Sequence, residues 1–450
     1  MEIQRRRAPL KLPAAPLRVI ATLRRAGHEA YAVGGAIRDG LRGETLKDLD
    51  VATSASPKEV AILFPRTHEV GARFGVMLVI EDDEPIEVAT FRTEGGYLDG
   101  RHPERVEFAD LAADAVRRDF TINALYYDPL REEILDPTGG LGDLERGVLR
   151  SIGDPSIRFG EDHLRLLRCA RFAAQLGFVI EERTWQALVA HASSIATVSP
   201  ERVRIELERM LTGPRPATGL RILLHSGLLR HVLPEIQAMV GVQQPPQFHP
   251  EGDVFVHTCL TLEKLERRTR PLAWAALLHD VGKPPTCRQA ERIRFDRHVP
   301  VGMEMAEGIL QRLHCDRETI ERVVALIRDH LRFSAVEEMR PSTLKRFLRQ
   351  PHFDDHLALH RADCQASHGD LGLYEYCRRK LHELSEEELR PKPLLRGHDL
   401  LAMGFSPGPL VGRILRAVED AQLEETLKTR EEALEWIAAR WRPSPSEREE

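Results

Sequence analysis

The chain has 450 residues, 42% hydrophobic and 30% charged, with 31 Gly, 29 Pro and 6 Cys, an ordinary globular composition with length for two or more cores. This excludes disordered, collagen-like and disulfide-scaffold chains, and no run approaches the ~20 apolar residues of a membrane-spanning helix. The net charge of −6 neither requires nor forbids a nucleic-acid partner, although arginine, the side chain suited to two-pronged phosphate contacts, dominates the basic residues.

The N-terminal stretch carries Arg5, Arg6 and Arg7 but no apolar stretch of a secretory signal, so a soluble, cytoplasmic protein is expected. Leu17, Ile20, Ala21 and Leu23 recur at helical spacing and predict a helix over 17–27, closed by Gly27 in a left-handed cap. Short β-type runs follow at 30–33, 48–52, 76–80 and 86–91, the last two flanking an acidic turn at 82–85. Strands cease near 136–140. From about 155 the pattern is helix after helix, interrupted by Pro-rich breaks at 213–216, 243–246 and 390–393 that read as boundaries. A Gly-Pro loop over 404–412 precedes a charged helix to about 441, and the tail 442–450 is expected to fray. Cys169, Cys259, Cys287, Cys315, Cys364 and Cys377 are scattered with no CxxC pair, which predicts reduced thiols.

Two constellations carry chemistry. In the first, Gly34 and Gly35 stand at a strand end and open a helix, so that backbone N–H groups can approach an anion. Nearby, Asp48 and Asp50 occupy positions i and i+2 of a predicted strand and point to one face, with Leu49 and Val51 on the other. Two carboxylates side by side are costly unless a cation sits between them. Alone they would be a solvated acidic edge; beside Gly34, Gly35 and Arg38 they suit Mg²⁺ held against a nucleoside triphosphate. Glu87, on the neighbouring strand, is either a third acidic group or a structural ion pair. Further on come Arg117, Arg118, Asp119 and Asn123, and then Asp162 and Arg165, three apart at a helix start.

The ordered motifs GGAIRD, KDLDVAT, RRDFTINAL, DPTGGLGDL, EDHLRLLR and PERVRIEL, spread over residues 17–235, resemble the class II CCA-adding enzyme and poly(A) polymerase family of template-independent nucleotidyltransferases. The resemblance implies Asp48 and Asp50 as catalytic Mg²⁺ ligands and Gly34, Gly35 and Arg38 at the triphosphate. It implies Arg118, Asp119 and Asn123 at ribose and phosphates, with Arg168 also at the nucleotide, and Asp162 with Arg165 reading the base. That last role has a physical logic. Cytosine and adenine both place an amino donor beside an unprotonated ring nitrogen, so one carboxylate and one guanidinium can accept both, whereas guanine and uracil reverse the order. The Gly-rich loop 93–108, with Asp99, Arg101, His102 and Arg105, resembles the flexible loop of members that add the terminal A. Full CCA addition from CTP and ATP, A addition alone and poly(A) tailing share these motifs.

In the second constellation, His257, the pair His279-Asp280 and Asp363 have the order H…HD…D, the pair closing the apolar stretch 272–278. Buried polar side chains there demand a partner, and four ordered ligand types point to a metal. The segment resembles an HD-type metal-dependent phosphohydrolase domain, with His298 and His330 at positions of additional ligands and Lys283 nearby. Mixed N and O donors suit a transition metal such as Mn²⁺ or Ni²⁺. The implied substrates are phosphomonoesters, 2′,3′-cyclic phosphates or phosphodiesters.

The expected fold is α+β and multidomain: a small mixed α/β nucleotidyltransferase head (1–150), an all-α neck (151–243), an HD helical domain (244–370) and a helical tail (371–450). Expected partners are tRNA, CTP and ATP, with no membrane. Basic pieces at Arg202, Arg204 and Arg209, at Lys345, Arg346 and Arg349, and at Arg378, Arg379 and Lys380 are either an RNA track or solvated helix faces. A phosphohydrolase whose head only binds RNA is the competing reading from another class.

Overall fold

The computed structural model describes residues 3–46, 48–71, 75–97, 103–289 and 292–442. Lys47, Asp99, Arg101, His102 and residues 443–450 lie outside the described residues. Contacts cluster into two units, Met1–Met239 with Gly308–Asp316, and Val240–Glu307 with Arg317–Glu450.

The first unit begins with β1 (Gln4–Arg7), α1 (Ala14–Arg25), β2 (Ala30–Val33), α2 (Gly35–Leu41), β3 (Asp50–Thr53) and α3 (Pro57–Leu63). It continues through β4 (Thr67–Gly71), β5 (Val76–Glu81), β6 (Glu84–Thr90), β7 (Arg92–Tyr97), β8 (Pro103–Phe108), α4 (Leu111–Val116), β9 (Tyr126–Asp128), β10 (Glu133–Asp136) and α5 (Gly140–Arg146). Eight strands form one mixed sheet in the order β1-β10-β9-β2-β3-β6-β5-β4, and β7 pairs β8 separately. The sheet has apolar side chains on both faces because both are covered. Val19, Ile20 and Leu23 of α1 pack with Ala30, Val51 and Val88 on one side, while Val33, Ala52 and Tyr126 pack with Leu111 and Ala115 of α4 on the other. Alternation along β3 therefore puts Asp50 on the α4 side with Ala52.

The predicted helix 17–27 forms three residues earlier, as α1, and Gly27 adopts the expected left-handed φ of +90°. The hairpin between β5 and β6 turns on Asp82 and Asp83, at φ +50° and +62°. One expectation is corrected: the strand at 48–52 begins at Asp50, and Asp48 precedes it with φ +48°. Asp48 and Asp50 are therefore not alternate residues of one strand.

The neck follows as β11 (Val148–Leu149), α6 (Pro155–Glu161), α7 (Leu164–Leu176), β12 (Val179–Ile180), α8 (Glu182–Ala190), α9 (Pro200–Leu211), α10 (Pro216–Ser226), α11 (Leu229–Val232) and α12 (Pro234–Gln237). Helix α7 is buried almost all round, through Leu166, Leu167, Cys169, Ala170 and Phe172, so its Arg side chains are held by the protein rather than by water.

The second unit starts with α13 (Val254–Lys264), α14 (Arg270–Leu278), α15 (Lys283–Thr286), the hairpin β13 (Cys287–Gln289) and β14 (Ile293–Phe295), α16 (His298–Arg312) and α17 (Arg317–Asp329). It ends with α18 (Pro341–Leu348), α19 (Phe353–Ala366), α20 (Gly372–Glu383), α21 (Glu386–Leu389), α22 (Gly397–Ala402), α23 (Pro409–Leu423) and α24 (Arg430–Arg440). Residues 271–278 of α14 are all buried, as expected for an apolar stretch ending in two polar side chains. Lys345 donates to the Leu423 carbonyl at 2.9 Å, Arg346 pairs with Glu419 and Asp420, and Arg349 pairs with Glu419. This basic run thus clamps α23 and is neither a solvated face nor an open RNA track. Arg379 and Lys380 instead pair with Glu383 on their own helix, an exposed surface arrangement worth little to stability. All six cysteines are free thiols. Among the described residues, no helix is long and apolar enough to cross a membrane.

Candidate active site and metal centre

A cleft of about 410 Å³ opens in the first unit over the end of the sheet, lined among others by Gly34, Gly35, Arg38, Asp50, Arg118 and Asp119, and by Asn123, Asp162, Arg165, Arg168, Phe172 and Arg202. Gly34 ends β2 with φ +88° and ψ −151°, a conformation essentially reserved for glycine. A Cβ there would stand 3.7 Å from Oδ2 of Asp50, so glycine leaves the carboxylate open to the cleft. A Cβ at Gly35 would lie 3.4 Å from the Arg38 guanidinium, which folds back over the turn.

Asp50 pairs in register with the strand that carries Glu87: Val51 lies opposite Val88 in a parallel ladder, placing Glu87 across from Asp50 on the same face. Burial, then the Glu87 charge, push the Asp50 carboxyl up to about 7 against the pull of Arg118, with Asp48 adding a smaller upward push. Glu87 thus acts on Asp50 as a neighbouring acidic group. Asp48 is exposed and does not line the cleft; it reaches Asp50 through its charge. Crowded carboxylates of this kind suit a divalent cation bound by oxygen.

A continuous hydrogen-bond chain joins the glycine turn to the neck. Arg38, gripped by Asp39 through two bonds of 2.8 Å, donates to Oδ1 of Asn123 at 2.6 Å. Asn123 donates to Asp119 at 3.1 Å, and Arg168 of α7 donates twice to the other Asp119 oxygen, at 2.9 and 2.5 Å. Burial alone would raise the Asp119 carboxyl, but Arg168 and these bonds hold it at about 2. The Phe172 ring carries the guanidiniums of Arg38, Arg168 and Arg171 at 5.2, 5.3 and 4.0 Å, cation–π contacts that fix three charges around one apolar pivot. The DPTGGLGDL motif folds into a tight turn against Thr121: Asp136 accepts the backbone N–H groups of Thr138, Gly139, Gly140 and Leu141. A Cβ at Gly140 would meet the Thr121 carbonyl at 2.2 Å.

Asp162 and Arg165 both line the cleft, but they do not share a helix face. Asp162 lies between α6 and α7, accepting the Leu164 N–H at 3.1 Å and Arg202 at 3.2 and 3.3 Å. Arg165 donates to Glu161, to the Arg158 carbonyl and to the Arg117 carbonyl at 2.8 to 3.0 Å. Each is held by other groups, not by the other, which excludes a simple surface ion pair. Arg202 therefore serves the cleft.

Sequence reasoning missed Asp114, which is 1% exposed and anchors both Arg117 and Arg118 while accepting the Tyr126 hydroxyl at 2.6 Å. The signal was available, since Asp114 precedes these arginines by three and four residues on one helix face. Glu161, four residues before Arg165, offered the same spacing, whereas Phe172 carried no such signal.

In the second unit, α13, α14 and α19 bring together His257, His279, Asp280 and Asp363. Nε2 of His257 lies 3.2 Å from Nε2 of His279 and 2.9 Å from Asp363, and Nε2 of His279 lies 3.3 Å from Asp280. Two ligand sets share Asp280: His257 and His279 on one side, His298 and His330 on the other, the donor atoms of each within 4.8 Å. Nδ1 of His279, His298 and His330 lies 3.0, 2.9 and 2.6 Å from the carbonyls of Ala276, Phe295 and Ile327. A carbonyl only accepts, so these Nδ1 atoms carry the proton and Nε2 presents a lone pair inward. The buried Nε2 of His298 has no hydrogen-bond partner. Burial would lower the His257 imidazole, yet contacts with Asp363 and Glu251 raise it to about 9. Converging lone pairs and carboxylates fit a divalent metal with mixed N and O donors. Lys283 pairs with Asp280 at 2.7 Å.

Three family models match the chain: the poly(A) polymerase head domain over residues 30–150, the probable RNA- and SrmB-binding site of polymerase A over 177–239, and the HD domain over 254–358. The CCA-adding enzyme of Leuconostoc mesenteroides is 32% identical over 430 residues, covering 93% of this chain and 94% of that protein. That of Lactiplantibacillus plantarum is 46% identical over 215 residues, 48% of this chain and 53% of that protein; the chain spans about half the length of the first curated relatives it matches. A crystal structure of the Bacillus stearothermophilus CCA-adding enzyme in complex with CTP superposes with TM-score 0.70 at 26% identity, covering 95% of this chain and 98% of that one. The Thermotoga maritima CCA-adding enzyme complexed with tRNA shares the fold, with TM-score 0.62 at 19% identity over 98% and 99% of the two chains.

Proposed function

The chain belongs to the family of CCA-adding enzymes, and from that premise we propose that it is a cytoplasmic tRNA nucleotidyltransferase adding C and A from CTP and ATP to the 3′ end without a nucleic-acid template. The observation that carries this reading is the meeting of Asp162 and Arg165 with Asp50, Arg118, Asp119 and Asn123 in one cleft. The base edge faces Asp162, which accepts an exocyclic amine, and Arg165, which donates to a ring nitrogen. Because their other contacts hold both side chains in place, guanine or uracil would leave buried polar groups unpaired. Gly34, Gly35 and Arg38 receive the triphosphate, and Arg118, Asp119, Asn123 and Arg168 orient ribose and phosphates. Asp48 and Asp50 would hold Mg²⁺, whose chemistry there is stabilisation of the entering and leaving oxygens. The tRNA 3′ oxygen forms a bond to the α-phosphorus as the bond to pyrophosphate breaks.

The second unit is read as a phosphohydrolase acting on RNA 3′ ends. His257, His279, Asp280 and Asp363, with His298 and His330, would hold a transition metal such as Mn²⁺ or Ni²⁺, whose chemistry is polarisation of water and a phosphoryl oxygen. Lys283 supplies a cation beside the cluster for a phosphate. An RNA ending in a phosphate has no hydroxyl to extend, so removal of that group would prepare a substrate for the cleft.

The test offers tRNAs ending at the discriminator base, at C and at CC, with labelled CTP or ATP. Incorporation of both nucleotides onto the shortest tRNA is expected. A onto the CC end alone, or long A tracts on unrelated RNA, would replace CCA addition with A addition or poly(A) synthesis. Asp50→Ala abolishes incorporation and spares metal-dependent phosphate release from 3′-phosphorylated or 2′,3′-cyclic RNA; joint loss would contradict separate sites.

A further inference from the structure

The stretch 243–246 reads as a linker, yet residues 242–253 form a closed loop against the metal centre. Gln243 and Asp253 form an antiparallel bridge, Gln244 N–H donates to the Gly252 carbonyl at 2.7 Å, and Val254 N–H donates to the Val242 carbonyl at 3.0 Å. Asp253 then caps α13 by accepting the Val256 N–H at 3.0 Å. The loop sends side chains inward. Gln244, 1% exposed, accepts Lys283 at 2.6 Å. Oε1 of Glu251 stands 2.6 Å from Nδ1 of His257 and 2.9 Å from Nδ1 of His249.

We propose that Glu251 is a positioning residue of the metal centre. His279, His298 and His330 each rest Nδ1 on a backbone carbonyl; at His257 a carboxylate occupies that place. A cation at the cluster would take the place of the Nε2 proton that His257 directs at Asp363; Glu251 would then keep the Nδ1 proton, turn the Nε2 lone pair to the cation and strengthen that nitrogen as a donor through its charge. Its side chain is 6% exposed, Oε2 has no hydrogen-bond partner, and Nδ1 of His257 meets Oε1 as a close charge contact without an aligned hydrogen bond. A carboxylate in that state needs a compensating positive charge, which the His257 imidazolium gives and a cation on Nε2 would give in its place. His249 packs edge-on to His257 at 4.9 Å and fixes the same carboxylate from outside. The inference rests on reading these residues as a divalent metal site.

The experiment uses chelator-treated full-length protein titrated with Co²⁺, followed by its visible absorption and by competition with a chelating indicator. Glu251→Ala is expected to weaken Co²⁺ binding 10- to 100-fold and to shift the absorption band, with Glu251→Asp restoring part of both. Glu251→Gln, of the same shape without the charge, falls between, and helical circular dichroism stays unchanged across the set. Affinity and band within twofold of wild type in Glu251→Ala, while Asp280→Ala loses Co²⁺, would overturn the role of Glu251. Equal and negligible binding by wild type and Asp280→Ala would instead overturn the metal centre itself, and this inference with it.

Discussion

Replacing Asp119 by alanine tests whether the arginines of the cleft are held as one array. Its carboxylate is 8% exposed and accepts two bonds from Arg168, one from Asn123 and one from the Phe120 N–H. The carboxyl lies at about 2 in the folded protein, against about 3.9 in an unfolded chain, a difference contributing roughly 2.6 kcal/mol at neutral pH. Because the folded value is the lower one, that contribution is complete above about pH 4 and fades as pH falls towards 2. Losing one partner of a buried pair costs about 3–5 kcal/mol, and Arg168 is 31% exposed, which places the expected loss near the lower end. Two units need not unfold in one step, so the readout is hydrogen exchange resolved by peptide. At pH 7 Asp119→Ala should speed exchange in α7 and in Thr121–Asn123 by roughly 100-fold, while α13 and α14 keep wild-type protection. Removing Arg168 as well should cost little more than either single change. Less than twofold acceleration, or strictly additive effects of the two substitutions, would show that Asp119 does not tie α7 to the glycine turn.

Gly34→Ala forces a side chain into a glycine-only conformation at a cost of about 1–3 kcal/mol; a raised KM for CTP and ATP with unaltered tRNA binding is expected in steady-state incorporation assays. Asp162→Ala and Arg165→Ala each remove one half of the proposed base-reading pair, and each should cut the preference for C and A over G and U at least tenfold, by about 1.4 kcal/mol or more, in competition assays with all four triphosphates.

What was legible followed from how strongly each segment's own chemistry dictates its structure. Helix α14 was readable because seven consecutive apolar residues, 272–278, ending in His279-Asp280 can only be buried, and the hairpin of β5 and β6 because two β-type apolar runs flank an acidic turn. Strand β1 was not: Gln4–Arg7 has no apolar residue and is an exposed edge, formed by pairing with β10 and by ion pairs to Glu132, Glu133 and Glu145. Asp48 looked like a strand residue because alternation with Leu49 and Asp50 is locally perfect, and only the backbone conformation shows that the strand starts later. Within the loop 242–253, the stretch 243–246 was read as a boundary from its prolines, since a Pro-rich stretch has the same composition whether it links domains or wraps a site. Lys345, Arg346 and Arg349 were equally opaque, as a basic run gives no hint that its carboxylate partners lie about 70 residues away.

The two sites differ in the sign of what they lack, which separates their ligands without appeal to the family. Seven arginines and three aspartates line the cleft, and Asp39, Asp114 and Glu161 hold four of those arginines, so the local balance is slightly positive with the guanidiniums set in fixed orientations. A bound triphosphate, with its own charge of about −4, meets these fixed guanidiniums and brings further negative charge that a divalent cation beside Asp50 can offset. A free divalent cation would be repelled from most of the cleft and can enter only beside Asp50, where Glu87 and Asp48 reverse the local sign. Around His257 the balance is opposite: Glu251, Asp280 and Asp363 face the ammonium of Lys283 and the imidazolium of His257, raised to about 9, which leaves a net negative charge. A divalent metal that displaces the His257 Nε2 proton meets that deficit, and the site then has no excess charge with which to repel a phosphate. The cleft is therefore built to capture a polyanion and the HD centre to capture a cation first, so metal depletion should silence the HD centre at the level of assembly, while the cleft still binds nucleotide.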